Sequence, residues 1–240
     1  MFSLMPFALL SGVIPLLFVG FVVLIIVGVI YSARQERQRR AELEAWAAAH
    51  HLSLSPHEDP GFKDRYVAFK CLCQGEKGRY AFNKMTGQWN GRDLVAFEYR
   101  YQTTSTDSKG HTSTTNHYFS GVLLTAGLPL KPLVLRPEHF FDKIAGFFGF
   151  EDINFESAEF SRAFHVASPD RKWAYDVLHP QTMEFLLRQP RYSVQFDAHY
   201  VMAWAGSRWK AQEFTAALGV IEGILDGLPP YVIQQQEGVG

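Results

Sequence analysis

Residues 7–31 read FALLSGVIPLLFVGFVVLIIVGVIY, 25 positions without a single charged side chain. A helix needs about 20 predominantly apolar residues to cross the hydrocarbon core of a bilayer. Hydrocarbon offers no partners to backbone N–H and C=O groups, and an α-helix satisfies its own. The stretch therefore predicts one transmembrane helix, an anchor over residues 1–31 with a folded domain on its C-terminal side. A cleaved signal peptide has a basic start, an apolar core of about 7–15 residues and a small-residue cleavage site. Here Met1 to Pro6 holds no Lys or Arg, the apolar run is longer, and no Ala-x-Ala follows it. A buried core helix is apolar on one stripe, whereas this run is apolar on every face. Pro15 lies inside it and removes one donor, which membrane helices tolerate when the freed carbonyl finds another partner.

The flanks set the orientation. Arg34, Arg37, Arg39 and Arg40 come after the span, and nothing basic precedes it. Cytoplasmic flanks carry the excess of Lys and Arg. The expectation is a single-pass protein of the inner (cytoplasmic) membrane, N-terminus outside and C-terminal domain in the cytoplasm. Those arginines are the expected membrane-interface residues, and residues 7–31 meet the lipid bilayer as their partner. Stopping translocation is their simplest role; attraction to anionic headgroups favours the same placement.

The remaining composition bounds the domain. Of 240 residues, 15% are aromatic, 20 of them Phe, so apolar surface for burial is plentiful. About 190 residues remain beyond the anchor and its flank, enough for one good core or two small ones. A net charge of −1 gives no field expected to attract nucleic acid. Cys71 and Cys73 are too few for a disulfide framework, and alternate positions on a strand bridge poorly. Reduced thiols agree with a cytoplasmic domain.

Residues 32–61 read as a basic juxtamembrane flank, a helix and a linker. Leu43, Trp46, Ala47 and His50 share one helical face, and the Ser/Pro/Gly-containing stretch from Ser53 to Gly61 ends the helix. Residues 62–230 predict an α+β domain of antiparallel β-hairpins packed with helices, and residues 231–240 a flexible tail. The clearest local signal is Asn90-Gly91 between strand-like runs, Arg79 to Trp89 and Arg92 to Tyr101. A type I′ turn needs positive φ at both central residues, which Asn-Gly supplies. On the second strand Val95, Phe97, Tyr99 and Tyr101 share one face, and Leu94, Ala96, Glu98 and Arg100 the other. The Thr/Ser-rich stretch from Gln102 to Asn116 predicts a mobile loop. His117 to Thr125 and Leu133 to Leu135 read as two further strands, and Pro137 to Phe148 as a helix. Ser157 caps a short helix through Ala163. Ser168-Pro169-Asp170 starts another, with Trp173 and Val177 inward. Gln181 to Arg188 predicts a helix, and Tyr192 to Phe196 with Tyr200 to Trp204 a hairpin. A last helix from about Lys210 to Leu228 turns Phe214, Leu218, Ile221, Leu225 and Leu228 to one side.

The run Phe155-Glu156-Ser157-Ala158-Glu159-Phe160, then Phe164 to Asp170, then Leu178-His179-Pro180 and Met183-Glu184-Phe185-Leu186-Leu187 resembles an uncharacterised bacterial family. Its pattern is FES-x-EF, F-x-V-x-S-x-D, A-x3-L-x-P-x2-MEFLL, with Phe97-x-Tyr99-x-Tyr101 and Leu133 to Glu138 matching as well. The resemblance covers about half of the chain by eye. It implies a membrane-anchored bacterial α+β domain of unknown function and carries no catalytic residues.

Candidate chemistry is thinly spread. Cys71-x-Cys73 lacks the second ligand pair of a structural zinc site. His50, His51 and His57 beside Glu58 and Asp59 form the densest set of possible ligands, but without a recognised spacing. His111 and His117 flank hydroxyl-rich turns. Asp142, Glu151, Asp152, Glu156, Glu159 and Asp176 offer carboxylates whose separation is a property of the fold. No nucleophile elbow, phosphate loop or zinc-protease helix is present. No catalytic, cofactor or metal residue is therefore assigned. The leading expectation is a non-catalytic protein-interaction or scaffold module, recruiting a membrane or cytoplasmic protein. A membrane-associated hydrolase and anionic-lipid headgroup sensing are the competing expectations.

Overall fold

The computed structural model describes residues 7–138 and 152–238. The chain forms two compact units, Met1–Glu44 and Ala45–Gly240.

The first unit is the body of helix α1, which spans Phe7–Ala49. Along it Leu17, Phe18, Phe21, Leu24, Ile26 and Tyr31 are all exposed. A water-soluble helix hides an apolar stripe; here none of these side chains is covered. From Leu17 onward α1 is long and apolar enough to cross a membrane, and its most apolar window has no buried residue. This supports a membrane-anchored protein, as the sequence leads one to expect.

The second unit is α+β. Its sheet contains β1 (Ser53–Ser55), β2 (Lys77–Trp89), β3 (Arg92–Thr106), β4 (Thr112–Pro137), β5 (Phe164–Ala167) and β6 (Ser193–Ala205). All neighbours are antiparallel, in the order β1-β2-β3-β4-β5, with β6 also on β4. Strand β4 is 26 residues long. Ser120–Leu124 pair with β3 and β6 at once, and Val134 and Leu135 with β5 and β6. One edge of β4 therefore takes β3 and then β5, and the other takes β6. The β2–β3 turn is the expected Asn90-Gly91, with φ of 48° and 79°, as a type I′ turn requires.

Both faces of the sheet are covered. On one, Phe97, Tyr99, Phe119, Leu123, Met202 and Trp204 join Phe62, Phe69 and Leu72. The latter three come from α2 (Phe62–Arg65) and the stretch through a short 3-10 helix, Lys70–Cys73. Against β4 and β6 lies α6 (Ala211–Asp226), with Phe214, Leu218, Ile221 and Leu225 buried. The expected apolar stripe of that helix is thus a core face. Helices α3 (Ala158–Ala163), α4 (Arg171–Val177), α5 (Pro180–Arg188) and α7 (Pro230–Glu237) complete the unit. Ser157 caps α3 by accepting the N–H of Phe160 at 3.2 Å.

Several expectations are corrected. The stretch from Gln102 to Asn116 is an arm of paired strand, Thr103↔Thr115 to Thr106↔Thr112, around a turn at Asp107 to Gly110. The two strands expected between His117 and Leu135 are one, and the hairpin expected between Tyr192 and Trp204 is one strand kinked at Ala198, φ 50°. Pro137 ends β4 rather than opening a helix, Glu138 is a turn residue, and residues 139–148 of that expected helix lie outside the described residues. Asp170, not Ser168, caps α4, because the Ser168 hydroxyl donates to the Pro132 carbonyl. Cys71 and Cys73 sit on the 3-10 helix, not a strand. Residues 32–61 are more than a linker: β1 pairs with β2, and the domain begins within the last turns of α1. The expected tail carries α7, with Val232 buried.

Gly121 marks a tight point at the centre of the sheet. A Cβ there would sit 2.9 Å from the Phe97 ring and 3.2 Å from the Ala203 carbonyl oxygen. Phe97 is itself fully buried and has nowhere to move. Gly121→Ala is expected to destabilise the domain by about 1–3 kcal/mol, the usual range for overpacking a core. Urea or thermal melting of the full chain measures it, and an unchanged midpoint contradicts the packing described.

Candidate functional site

The expected interface residues Arg34, Arg37, Arg39 and Arg40 lie on α1 just past the exposed apolar run. Arg34, Arg37 and Arg40 are exposed and Arg39 is half-buried. Three positions per step is close to one helical turn, so the exposed three fan around less than half the circumference.

A second polar locus lies on the sheet, around β3. Glu98 is 0% exposed. Its carboxylate accepts Arg208 Nε at 2.9 Å and Nη2 at 2.7 Å, and Asn83 Nδ2 at 2.7 Å. Asn83 reaches it from an irregularity in β2, where its φ is 45°. Arg208 lies over the rings of Phe82 (5.5 Å) and Tyr118 (5.8 Å). A buried carboxylate is tolerated when paired and hydrogen-bonded, and this one is both. The same sheet face continues outward through Arg100, which lies over Tyr80 at 5.3 Å and donates to Asn116 Oδ1 at 2.7 Å.

Beside this locus is a cavity of about 330 Å³ lined by Gln74, Tyr101, Asn116, His117, Tyr118, Phe119, Trp204 and Gly206. Tyr101 and His117 stack, centroids 4.8 Å apart and planes 14° apart. His117 Nε2 is 2.8 Å from the Thr103 hydroxyl. The cavity forms where β6 ends: the Ser120 N–H donates to the Ser207 carbonyl, beyond the last β4–β6 pair. Main-chain groups alternate sides along a strand, so those of Tyr118 and Asn116 face the same open edge as Ser120. Sequence reasoning missed this cavity, since its lining is drawn from four separated stretches.

The other residues singled out by sequence do not converge. His50 packs at a tilt against Trp46 (5.0 Å) and Trp89 (4.7 Å), and His51 holds a φ of 56° past the helix end. Asp59 is claimed by Lys84 and Arg65. Burial pushes its carboxyl up, but hydrogen bonds from these cations outweigh that and hold it below the usual range. Among the described residues no group of three or more His, Cys, Asp or Glu side chains could hold a metal. Asp142 and Glu151 lie outside the described residues. Asp152 and Glu138 flank His165, one on each ring nitrogen at 2.7 Å. Both ring nitrogens are thus engaged by carboxylates. Asp176 is held by Lys172 at 2.6 Å and the Tyr231 hydroxyl at 2.8 Å. Burial raises the Asp197 carboxyl, pushes the Tyr192 hydroxyl up to about 12 and raises Tyr99, whose hydroxyl donates to the Leu72 carbonyl. None of these shifted groups lines the cavity.

No family model matches the sequence, and no curated protein matches it. The fold has a solved counterpart. The crystal structure of the mycobacterial trehalose monomycolate transport factor A superposes with a TM-score of 0.57 at 12% sequence identity. The match covers 79% of this chain and 94% of that one. At such identity the likeness is one of fold.

Removing Arg208 leaves Glu98 buried without its cation. Breaking a buried pair from one side costs about 3–5 kcal/mol; the side chain of Arg208 is 26% exposed, which favours the lower figure. Arg208→Ala is expected to lower the denaturant midpoint by about 3 kcal/mol equivalent, and Arg208→Lys by less. Equal melting of Arg208→Ala and the parent chain contradicts a stabilising role for this pair.

Proposed function

We propose that this chain is a single-pass protein of the inner membrane whose cytoplasmic domain is a non-catalytic interaction module, accessory to transport at the membrane. The exposed, wholly apolar surface of α1 from Leu17 to Tyr31 carries the reading. A segment that hides nothing from solvent is stable as an anchor in lipid. The basic turn from Arg34 to Arg40 favours the cytoplasmic side for the domain attached to it. The domain's perturbed titratable groups are scattered and tied into structural contacts, which favours a scaffold over a hydrolase. The fold likeness to a transport factor lends the accessory role its direction. We extend the proposal to the family resemblance of residues 155–187: a membrane-anchored α+β domain fits both. Tethering raises the local concentration of the domain near membrane partners.

Crosslinking of the full chain in intact membranes, with identification of attached proteins, tests the reading. The expected result is retention in the membrane pellet through an alkaline wash, a cytoplasm-active reporter at Gly240, and specific crosslinks to a membrane protein. A soluble chain, a reporter active only outside the cytoplasm, or substrate turnover by a chain without crosslinks overturns it.

A further inference from the structure

We propose that the cavity at the end of β6 is a binding site for a neutral saccharide. The inference goes beyond the interaction role above and stands or falls separately from it.

The chemistry of the lining makes the case. A site for phosphate or carboxylate presents Arg or Lys to its ligand, and a site for an amine presents a carboxylate or an aromatic cage. The lining here is Gln74, Tyr101, Asn116, His117, Tyr118, Phe119, Trp204 and Gly206, without an Asp, Glu, Lys or Arg. Arg79, Arg100 and Arg208 touch the lining residues Gln74, Asn116 and Tyr118, but each guanidinium is already engaged: Arg79 with the Gln74 carbonyl, Arg100 with Asn116 and Tyr80, Arg208 with Glu98. What remains is neutral: two carboxamides, phenols, an imidazole and indole, and main-chain amides. Such a mixture matches a ring that shows C–H faces to aromatic side chains and hydroxyls to groups that both donate and accept.

Part of the hydrogen-bonding capacity, on Asn116, Gln74 and Trp204, is uncommitted. Arg100 Nη2 at 2.7 Å and Gln102 Nε2 at 2.8 Å both donate to Asn116, which fixes the accepting atom as its oxygen. Its amide N–H₂ is then free to donate, and no partner takes it among the described residues. The side-chain amide of Gln74 has none either. Trp204 is 1% exposed, and its indole N–H has no partner among the described residues. Buried indole N–H groups usually find one. The open edge of β4 adds the main-chain donor and acceptor of Tyr118. A volume of about 330 Å³ is at the small end of ligand sites, which run from about 300 to 1,000 Å³, and suits one or two sugar rings.

The test uses the full chain in a bilayer nanodisc, free of sugar-based detergent. Saturation-transfer NMR is run against glucose, galactose, mannose, maltose and trehalose, with glucose 6-phosphate, glucosamine and an extended Ser/Thr peptide as comparisons. At least one neutral sugar is expected to receive saturation, and its charged analogues to receive less. Asn116→Asp keeps the oxygen that Arg100 and Gln102 bond but removes the donor and adds a charge. It is expected to weaken the sugar about tenfold, one hydrogen bond's worth, with an unchanged melting temperature. Tyr118→Ala is expected to abolish transfer to the ring C–H protons. No transfer to any neutral sugar, transfer unaltered by both variants, or preferential binding of the peptide or a charged analogue overturns the proposal.

Discussion

Every buried backbone group of the domain must find a partner, and β4 meets that requirement for three other strands at once. Its two edges are filled by three other strands in register, so its course dictates theirs. A 26-residue strand cannot stay flat. Registers shift between Thr125 and Leu133, where Gly127 takes a φ of 77° and, on the partner strand, Ala198 takes 50°. Those irregularities let one strand serve both ends of the sheet. Where β6 stops and β4 continues, an edge opens, and the neutral cavity lies there.

The chain leaving β6 is fastened to one cross-strand pair. Glu98 and Ser120 stand opposite each other on β3 and β4. Arg208 bonds the first, and the Trp209 N–H donates to the hydroxyl of the second at 2.9 Å. Trp209 then packs edge-on to Phe214 at 5.2 Å and Tyr192 at 5.0 Å, which directs α6 onto the sheet. A buried carboxylate contributes little net stability compared with an apolar group of the same shape. Its value here is directional: it accepts only where Asn83 and Arg208 arrive together. The helix approach is fixed by a polar contact, and the apolar contacts fill in around it.

How much the sequence disclosed depends on the range of the forces involved. The anchor is a property of consecutive residues, and so is the Asn90-Gly91 turn; both were legible. The α+β class came from the alternation of periodicities. The arm from Gln102 to Asn116 was not legible, because Thr and Ser on both faces give no apolar–polar alternation to read. Ala198 misled in the same way: a residue that interrupts a strand pattern looks like a turn until its neighbour on β4 is known. The Pro229-Pro230 pair ends α6 but also opens α7, since proline suits the first turn of a helix. The Glu98–Arg208 pair joins positions 110 apart, and no local pattern announces it. The arginine turn after the anchor was visible by charge alone; the cavity was not, since it gathers strand residues and two loop residues, Gln74 and Gly206, from distant parts of the sequence.

The two thiols of the 3-10 helix report on different states of the domain. Cys71 is enclosed in the core, its sulfur 3.4 Å from that of Met202, while Cys73, two residues on, is half-exposed. Both are free. A small alkylating reagent therefore meets Cys73 in the native fold and Cys71 only when the layer of Phe62, Phe69 and Leu72 lifts off the sheet. The ratio of singly to doubly labelled chains, tracked over time, reads the opening frequency of that layer from inside the unmodified protein.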